Sequence, residues 1–590
     1  MSSIRSHLTD IFSDAFETLG FQRTLGHVAE SARPDLGQFQ CNGALAAARE
    51  AKQNPRAIAQ KVIDDVKSRH SAIFAELSIA GAGFVNISVT GDFLSTRANA
   101  LLSDKRLGVP AVAVPHTVVI DFGGPNVAKP MHVGHLRSAI IGDALQRIVR
   151  FLGENVISDN HLGDWGTQMG MLLCELQLRQ PELPYFDASS RGPYPEKSPV
   201  SIAQLEEMYP TASKRCKSDE AEMAKAVQAT AELQSGRPGY RALWKHFVAI
   251  SVAELHRDFA SIGIAFDHWL GESSYEERMD ALVSGLKQSG TTELSDGAWV
   301  IHVAEPADQK EYPPLLLEKS GGGYLYATSD LATIQYRVED FKATEILYVV
   351  DKRQDLHFTQ VFRAARKLGI VRADDRLQHV GFGTMNGPDG KPFKTRQGGV
   401  MKLADLVALV KAKALERIKE AGVGQSLAEP EQEDVVNRVG VATLKFADLS
   451  NHRESDYVFD VEKFTQFEGK TGPYLLYTAV RIKSILRNAS QKGIVGGAIV
   501  SATPRESGLI LLLCSLPDTM ASAREALLPN YLCDFAYSLA QEFNRFYREC
   551  HILNETDSAK QASWISLVGL VLAEMELVLG LLGIEIPERM

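Results

Sequence analysis

Little in this sequence points to a secreted, zinc-bound or membrane protein. Only six of its 590 residues are cysteine (Cys41, Cys174, Cys216, Cys514, Cys533 and Cys550), and no two form a CxxC pair. That spacing argues against a zinc ribbon and a disulfide framework, so a reducing cytoplasm is expected. The polar start MSSIRSHLTD is followed by no apolar run, and no secretory leader is expected. The most apolar late stretch, SLVGLVLAEMELVLGLLGI, is broken by Glu574 and Glu576. It reads as a buried amphipathic helix rather than a membrane span. Internal repeats and low-complexity tracts are also missing. Net charge is −10, which by itself disfavours a nucleic-acid partner. Binding depends on local patches, however, and a global sum does not report them.

What is present is a long, ordinary globular composition, 45% hydrophobic and 23% charged, enough for three or four domains. Residues 1–112 mix helical periods with the strand-like run GFVNISV and end in LGVPAVAVP, so a small α/β domain is expected. TVVIDF, Thr117 to Phe122, is a continuous apolar strand. It leads through a glycine-rich loop into a helix with Ile141, Leu145, Ile148 and Leu152 on one face and Gly153 as its stop. The strand–loop–helix pattern recurs at NVISDNHLGDWG, ILYVVDKRQDLHF and LQHVGFGTMNG. Such alternation predicts a doubly wound parallel sheet of Rossmann type, with ligands beyond the strands' carboxyl ends. Residues from about 175 to 245 look like a helical insertion. After about 435 strand signals stop, and an all-helical domain is expected. The division is therefore 1–112, 113–455 and 456–590. Between Lys470 and Arg505 the basic residues Lys470, Arg481, Lys483, Arg487, Lys492 and Arg505 stand close together. They suit an anionic partner or a solvated helix face equally well.

The stretch GGPNVAKPMHVGHLRS carries the chemistry. His132 and His135 stand three apart at a helix start, which allows a metal site, a phosphate site or a simple cap. A zinc helix spaces its histidines four apart with a glutamate between, and neither holds here. A helix N-terminus offers free N–H groups and partial positive charge to phosphate. Pro130 fits a first turn, Gly134 leaves room for a flat purine, and two imidazoles can donate to a phosphate undergoing displacement.

Together HVGH, NHLGDWGTQ, VVDKRQDLHF and GKPFKTRQGG resemble the class I aminoacyl-tRNA synthetases, and among them the arginyl-tRNA synthetases. The likeness runs from GQFQCNGALAAA and GAGFVNI to TGPYLLYTAVRIKSILR, LAQEFNRFY and GIEIPERM. It implies that HVGH is the "HIGH" signature, with His132, Gly134 and His135 around ATP. GKPFKTR matches a degenerate "KMSKS" loop, with Lys391 and Lys394 at the lysine positions and Pro392 and Phe393 departing from the consensus. Lys129 is expected to share the pyrophosphate with Lys394. For arginine the resemblance implies Asp121 at the first strand's end, Tyr326 and Asp330 in YLYATSD, and Asn126 and Gln354 for the α-ammonium and α-carboxylate. Planar guanidinium calls for such carboxylates. Asp330 could alternatively cap the helix DLATIQYRVED. His357 and Gln360 are expected near the ATP ribose. Asp164, Trp165, Gly166 and Gln168 are expected near the site, with Trp165 equally suited to packing. Tyr474, Tyr477, Arg481 and Asn544 are expected tRNA contacts in the helical domain, where aromatics can stack on bases. Phe84 and Asn86, and more weakly Gln38 and Asn42, are expected at the tRNA elbow.

The resemblance thus implies a cytoplasmic, monomeric enzyme that forms arginyl-adenylate from arginine and Mg-ATP and passes it to tRNA(Arg). No zinc, covalent nucleophile or editing domain is expected, and adenylation is expected to need bound tRNA. A cysteine-type synthetase, a metabolite adenylyltransferase and a non-catalytic RNA-binding relative are the rivals. They are disfavoured respectively by the pocket acids, by the basic helical domain and by the intact HxGH and lysine-loop residues.

Overall fold

The computed structural model describes residues 3–318, 324–391, 393, 401–422, 424 and 427–590. Two compact units result, residues 112–414 with 447–464, and residues 1–111 with 415–446 and 465–590.

In the first unit TVVIDF forms strand β1 (Thr117–Phe122), buried from Val118 onward. A parallel strand covered on both faces reads as an unbroken apolar run, which is why it was visible in the sequence. Helix α1 (Val133–Phe151) follows, then β2 (Asn155–Asp159). Later come helix α2 (Tyr326–Glu339), β3 (Glu345–Val349), helix α3 (Asp355–Lys367) and β4 (Arg376–His379). The four strands form one wholly parallel sheet in the order β4-β3-β1-β2. The chain therefore reverses direction across the sheet between β1 and β3, and a ligand crevice opens beyond their carboxyl ends. Helix α1 lies close on β1. A Cβ at Gly142 would stand 2.1 Å from the Phe122 ring, so only glycine permits that approach.

Helices Thr167–Arg179, Ile202–Ser218, Glu220–Gln234 and Pro238–Ser261 form the helical insertion, which shares a core around Trp165, Met169, Leu172 and Phe247. Two features lay outside the sequence reading. Glu293–Ser295, Ala298–Ile301 and Leu315–Glu318 make a small antiparallel sheet. Met385–Asn386 pairs in parallel with Tyr457–Val458, beyond the point where strand signals were expected to end. Strands of two to four residues are too short to leave a periodicity. Near that ladder the buried Arg137 of α1 donates to Asp448 (3.0 Å) and to the Ser455 carbonyl (2.9 Å), and Tyr457 donates to the same Asp448 oxygen (2.9 Å).

In the second unit, strands Val28–Glu30, Phe39–Cys41, Phe84–Val89 and Phe74–Ala80 form an antiparallel sheet in that spatial order. Helices Gly472–Gln491, Asn530–Glu549 and Ser558–Leu581 belong to a bundle. Ser558–Leu581 is long and apolar enough to cross a membrane, and here most of it is buried inside the bundle. Burial runs along one side of the helix, through Trp564, Leu567, Val571, Met575 and Val578, while Glu576 and Gly580 on the other side are exposed, as an amphipathic helix requires. Glu574 departs from that reading, because it is wholly buried.

Candidate active site

Beyond the ends of β1 and β3 lies a cavity of about 540 Å³ lined by residues from β1, the α1 start, α2, β3 and α3. His135 and Gly134 line it while His132 stands just behind them, and hydrogen bonds at the start of α1 set all three. His132 is the N-cap residue, and its Nδ1 accepts from the Gly134 N–H (3.0 Å), while His135 Nδ1 accepts from the His132 N–H (3.2 Å). The rings stack with centroids 4.0 Å apart. Because both Nδ1 atoms accept, each ring carries its proton on Nε2, a donor left for a ligand. Burial and then the Lys129 charge lower the His132 pKa. Burial, followed by the charges of His132 and Lys129, pushes His135 down to about 3. The histidines are thus neutral donors at physiological pH. Gly134 has a nearer reason than a purine: a Cβ there would stand 2.7 Å from the His132 ring.

Residues 401–403, which follow the lysine loop, pair with this histidine turn. The Val133 N–H donates to the Met401 carbonyl (3.1 Å), and the Leu403 N–H to the Met131 carbonyl (2.9 Å). Lys394 and Arg396 lie outside the described residues. Lys391 is exposed and not on the cavity wall. Lys129 is half-buried, its ammonium 4.6 Å from the Tyr209 ring of the insertion. Behind the wall, Ser138 of α1 accepts from the Gly123 N–H (2.8 Å) and donates to the Val349 carbonyl (2.6 Å), tying β1's loop to β3.

The acidic wall is contributed mainly by α2. This helix starts at Tyr326 with Leu325 as N-cap, so Asp330 lies in its second turn and is not a cap. Tyr326 and Asp330, four residues apart, both reach the cavity, with Tyr326 exposed at its mouth. His357 of α3 bonds Asp330 (Nε2 to Oδ2, 2.6 Å). Burial lowers the His357 pKa, but the Asp330 bond and charge outweigh it, and the net shift is upward. Asp121, Asn126 and Gln354 line the same cavity. Gln360 does not, because its amide donates to the Pro313 carbonyl (2.7 Å).

Residues the sequence did not single out also line the cavity, notably Glu272 and His161. Burial, with the Asp164 and Asp330 charges adding and His161 opposing, pushes Glu272 up to about 7. Asp164 holds the Glu272 turn by accepting from the Ser273 N–H (3.0 Å) and hydroxyl (2.6 Å). Trp165 packs in the insertion core under Arg241, 4.5 Å away. Gly166 caps the helix Thr167–Arg179, and Gln168 donates to the Gly163 carbonyl (2.6 Å).

Comparison with known proteins agrees with this geometry. The family "tRNA synthetases class I (R), catalytic domain" matches residues 97–461. "Arginyl tRNA synthetase N terminal domain" matches 2–89, and "DALR anticodon binding domain" matches 475–590. Proteins named arginine–tRNA ligase from Alkaliphilus oremlandii and Hyphomonas neptunium are 47% and 48% identical over all of both chains. The chain belongs to the arginyl-tRNA synthetases of class I. The arginyl-tRNA synthetase structure from Plasmodium falciparum superposes with a TM-score of 0.81 at 24% identity, covering 100% of each chain, and so shares the fold.

At the start of the part of this arginyl-tRNA synthetase that matches the anticodon-binding family, Tyr474, one residue before the match, comes together with Tyr477, Arg481 and Asn544 inside it. Asn544 donates to the Tyr474 hydroxyl (3.0 Å) and accepts from Arg481 (3.0 Å), whose guanidinium lies 4.8 Å from the Tyr477 ring. Much of the basic stretch is paired with acids from elsewhere: Lys470 with Asp534, Lys483 with Glu588, Arg505 with Glu549. In the N-terminal sheet Phe84 is partly exposed, whereas Asn86 is buried and accepts from Gln40 (2.9 Å). Gln38 accepts from the Val89 N–H (2.8 Å), and Asn42 stands at the start of helix Gly43–Ala51. The side chains of Asn86 and Gln38 therefore have partners inside the sheet.

Proposed function

We propose that the cavity beyond β1 and β3 seats arginine and ATP together and that arginyl-adenylate forms there before transfer to tRNA(Arg). The observation that carries this reading is one cavity with the neutral imidazole donor of His135 on one wall and carboxylates on the other. The arginine carboxylate attacks the α-phosphate and pyrophosphate leaves, with magnesium arriving on the nucleotide. His132 and His135 donate through Nε2–H to phosphate oxygens that gain charge in the transition state. Lys129 and Lys394 neutralise the departing pyrophosphate, Gly134 lines the nucleotide's path, and the exposed Lys391 reaches the nucleotide from outside the cavity wall. No side chain forms a covalent bond to substrate, so positioning and electrostatics supply the rate.

At the other wall Asp330 and Glu272 receive the guanidinium. A bound cation would offset the burial and neighbouring acid charges that raise Glu272, and Tyr326 closes the mouth. Asp121, expected from the sequence as a guanidinium partner, already holds the protein's own Arg337 and instead takes the α-ammonium with Asn126, while Gln354 takes the α-carboxylate. A site that pairs a guanidinium with fixed carboxylates rejects uncharged side chains strongly, in keeping with the absence of any need for editing. His357, bonded to Asp330, steadies that carboxylate instead of standing free for the ribose. The Tyr474, Tyr477, Arg481 and Asn544 cluster offers stacking faces and a cation to the tRNA, and Phe84 does so in the N-terminal part. We take the enzyme to work as a cytoplasmic monomer. ATP–pyrophosphate exchange with each amino acid, with and without tRNA, tests the assignment. Exchange driven only by arginine and stimulated by tRNA is expected, and exchange driven by another amino acid overturns it.

A further inference from the structure

Directly beneath Asp121 lies a second guanidinium, belonging to the protein. Arg337, two turns beyond Asp330 on α2, is wholly buried. Its Nη2 donates both to Asp121 Oδ2 (2.7 Å) and to Asp159 Oδ2 (2.8 Å). Asp121 and Asp159 are register partners at the carboxyl ends of β1 and β2, so two carboxylates face each other on neighbouring strands. Like charges so placed repel, and Arg337 bridges them. The same guanidinium lies 5.3 Å from the Tyr348 ring, and its Nε and Nη1 have no hydrogen-bond partner among the described residues.

We propose that Arg337 and Asp159 are positioning residues that set the charge of Asp121, leaving the cavity floor with one uncompensated negative charge for the cationic substrate. The arithmetic is simple, two carboxylates against one guanidinium. With Asp159 present, Arg337 divides its charge and Asp121 keeps attraction for an ammonium. Without Asp159 the Asp121–Arg337 pair would be neutral and the floor would lose that attraction, although Asp159 touches no substrate. Arg337 is needed in turn, because burial and the Asp159 charge push the Asp121 carboxyl upward, and Arg337 and His161 offset only part of that rise. The charged and titratable groups facing Asp121 are Arg337 from α2, Asp159 from β2, Tyr348 from β3, His161 from the loop after β2 and Tyr275 from the short turn Glu272–Tyr275. The fixed geometry also orients Asp121, since Oδ2 is taken by Arg337 while the residue still lines the cavity.

This inference rests on Asp121 receiving the α-ammonium, so the experiment separates the two. Aminoacylation by the full chain is measured with arginine, ATP and tRNA(Arg) varied in turn, from pH 5.5 to 9, for Asp121→Asn, Asp159→Asn, Arg337→Gln and Arg337→Lys. Asp159→Asn is expected to raise the arginine KM about tenfold, with the ATP KM within twofold of the unmodified enzyme. Its acid limb in kcat/KM for arginine moves to lower pH, because Asp121 has lost a like-charged neighbour and kept its guanidinium. Arg337→Gln moves that limb to higher pH, so its defect is large at pH 7 and shrinks as pH rises, and Arg337→Lys recovers part of the loss. A structural tie alone would lower kcat or thermal stability without moving the limb. An arginine KM and acid limb unchanged in Asp159→Asn, with Asp121→Asn impaired, would overturn the inference and leave the Asp121 reading standing. Unchanged arginine binding in Asp121→Asn would overturn that reading instead. If Arg337→Gln does not fold, Asp159→Asn and Arg337→Lys decide the matter.

Discussion

Replacing Asp330 by asparagine removes a charge from the acidic wall while keeping its shape. The amide oxygen of the new residue can still accept from His357, which now sits 2.6 Å from the carboxylate, so the contact between α2 and α3 survives. What is lost is the charge proposed to pair with the substrate's guanidinium. A hydrogen bond to a charged group is worth about 1.5–3 kcal/mol, which converts to a loss of roughly 10- to 150-fold in kcat/KM for arginine. The loss is expected in the arginine KM, with the ATP KM nearly unchanged, because the histidine wall is untouched. Discrimination against the uncharged isostere of arginine carrying a ureido group should narrow, since part of the penalty for lacking a cation has gone. The variant also changes His357, whose pKa is raised only because the Asp330 bond and charge outweigh the lowering effect of burial. With asparagine that balance reverses, and the imidazole should titrate below 6.5, as read from its proton shifts. The assay is aminoacylation with arginine varied, beside a thermal melt. An unchanged arginine KM in a folded variant would refute the guanidinium assignment, and an unchanged His357 titration would refute the account of its shift.

Three further outcomes follow from contacts elsewhere. Gly134→Ala places a Cβ 2.7 Å from the His132 ring and must turn it, so the ATP KM should rise several-fold in aminoacylation kinetics with little change for arginine. Arg137→Met strands the buried Asp448, whose carboxyl burial already pushes upward, and should destabilise the catalytic unit by about 3–5 kcal/mol in denaturant melts. Adding Asp448→Leu should recover much of that loss, and no recovery would refute the pairing argument. Glu574 is buried with neither oxygen bonded among the described residues, and burial raises its pKa well above 4.5. The folded state therefore binds the proton more tightly than the unfolded state. Stability is complete below the unfolded pKa near 4.5 and falls as pH rises toward the folded value. Glu574→Gln should accordingly raise the melting temperature at pH 7 and give no gain near pH 4, as followed by circular dichroism.

The parts of the site that could be read in sequence are those whose chemistry is local. β1 declared itself because a strand buried on both faces leaves an unbroken apolar run ending in Asp121. The helix start at His132 was equally plain, but the choice between cap and phosphate site was falsely posed. His132 and His135 cap the helix through their Nδ1 atoms, and that capping is what leaves the proton on each Nε2. Glu272 could not be found in this way. It sits in a short turn with no periodicity, held by an aspartate 109 residues from the serine it grips. Asp121 shows the deeper limit. Its place at a strand end was legible, yet its nearest cation is Arg337, 216 residues away and wholly buried. An acid facing a cavity is read as a ligand for the substrate's charge, but its strength depends on how much of that charge the protein has already spent. Here one guanidinium is shared between two carboxylates, and Asp121 faces the cavity with its charge only partly matched. Residue type and spacing cannot report that balance, because it is set where α2 crosses the ends of β1 and β2, and only the fold brings those three segments together.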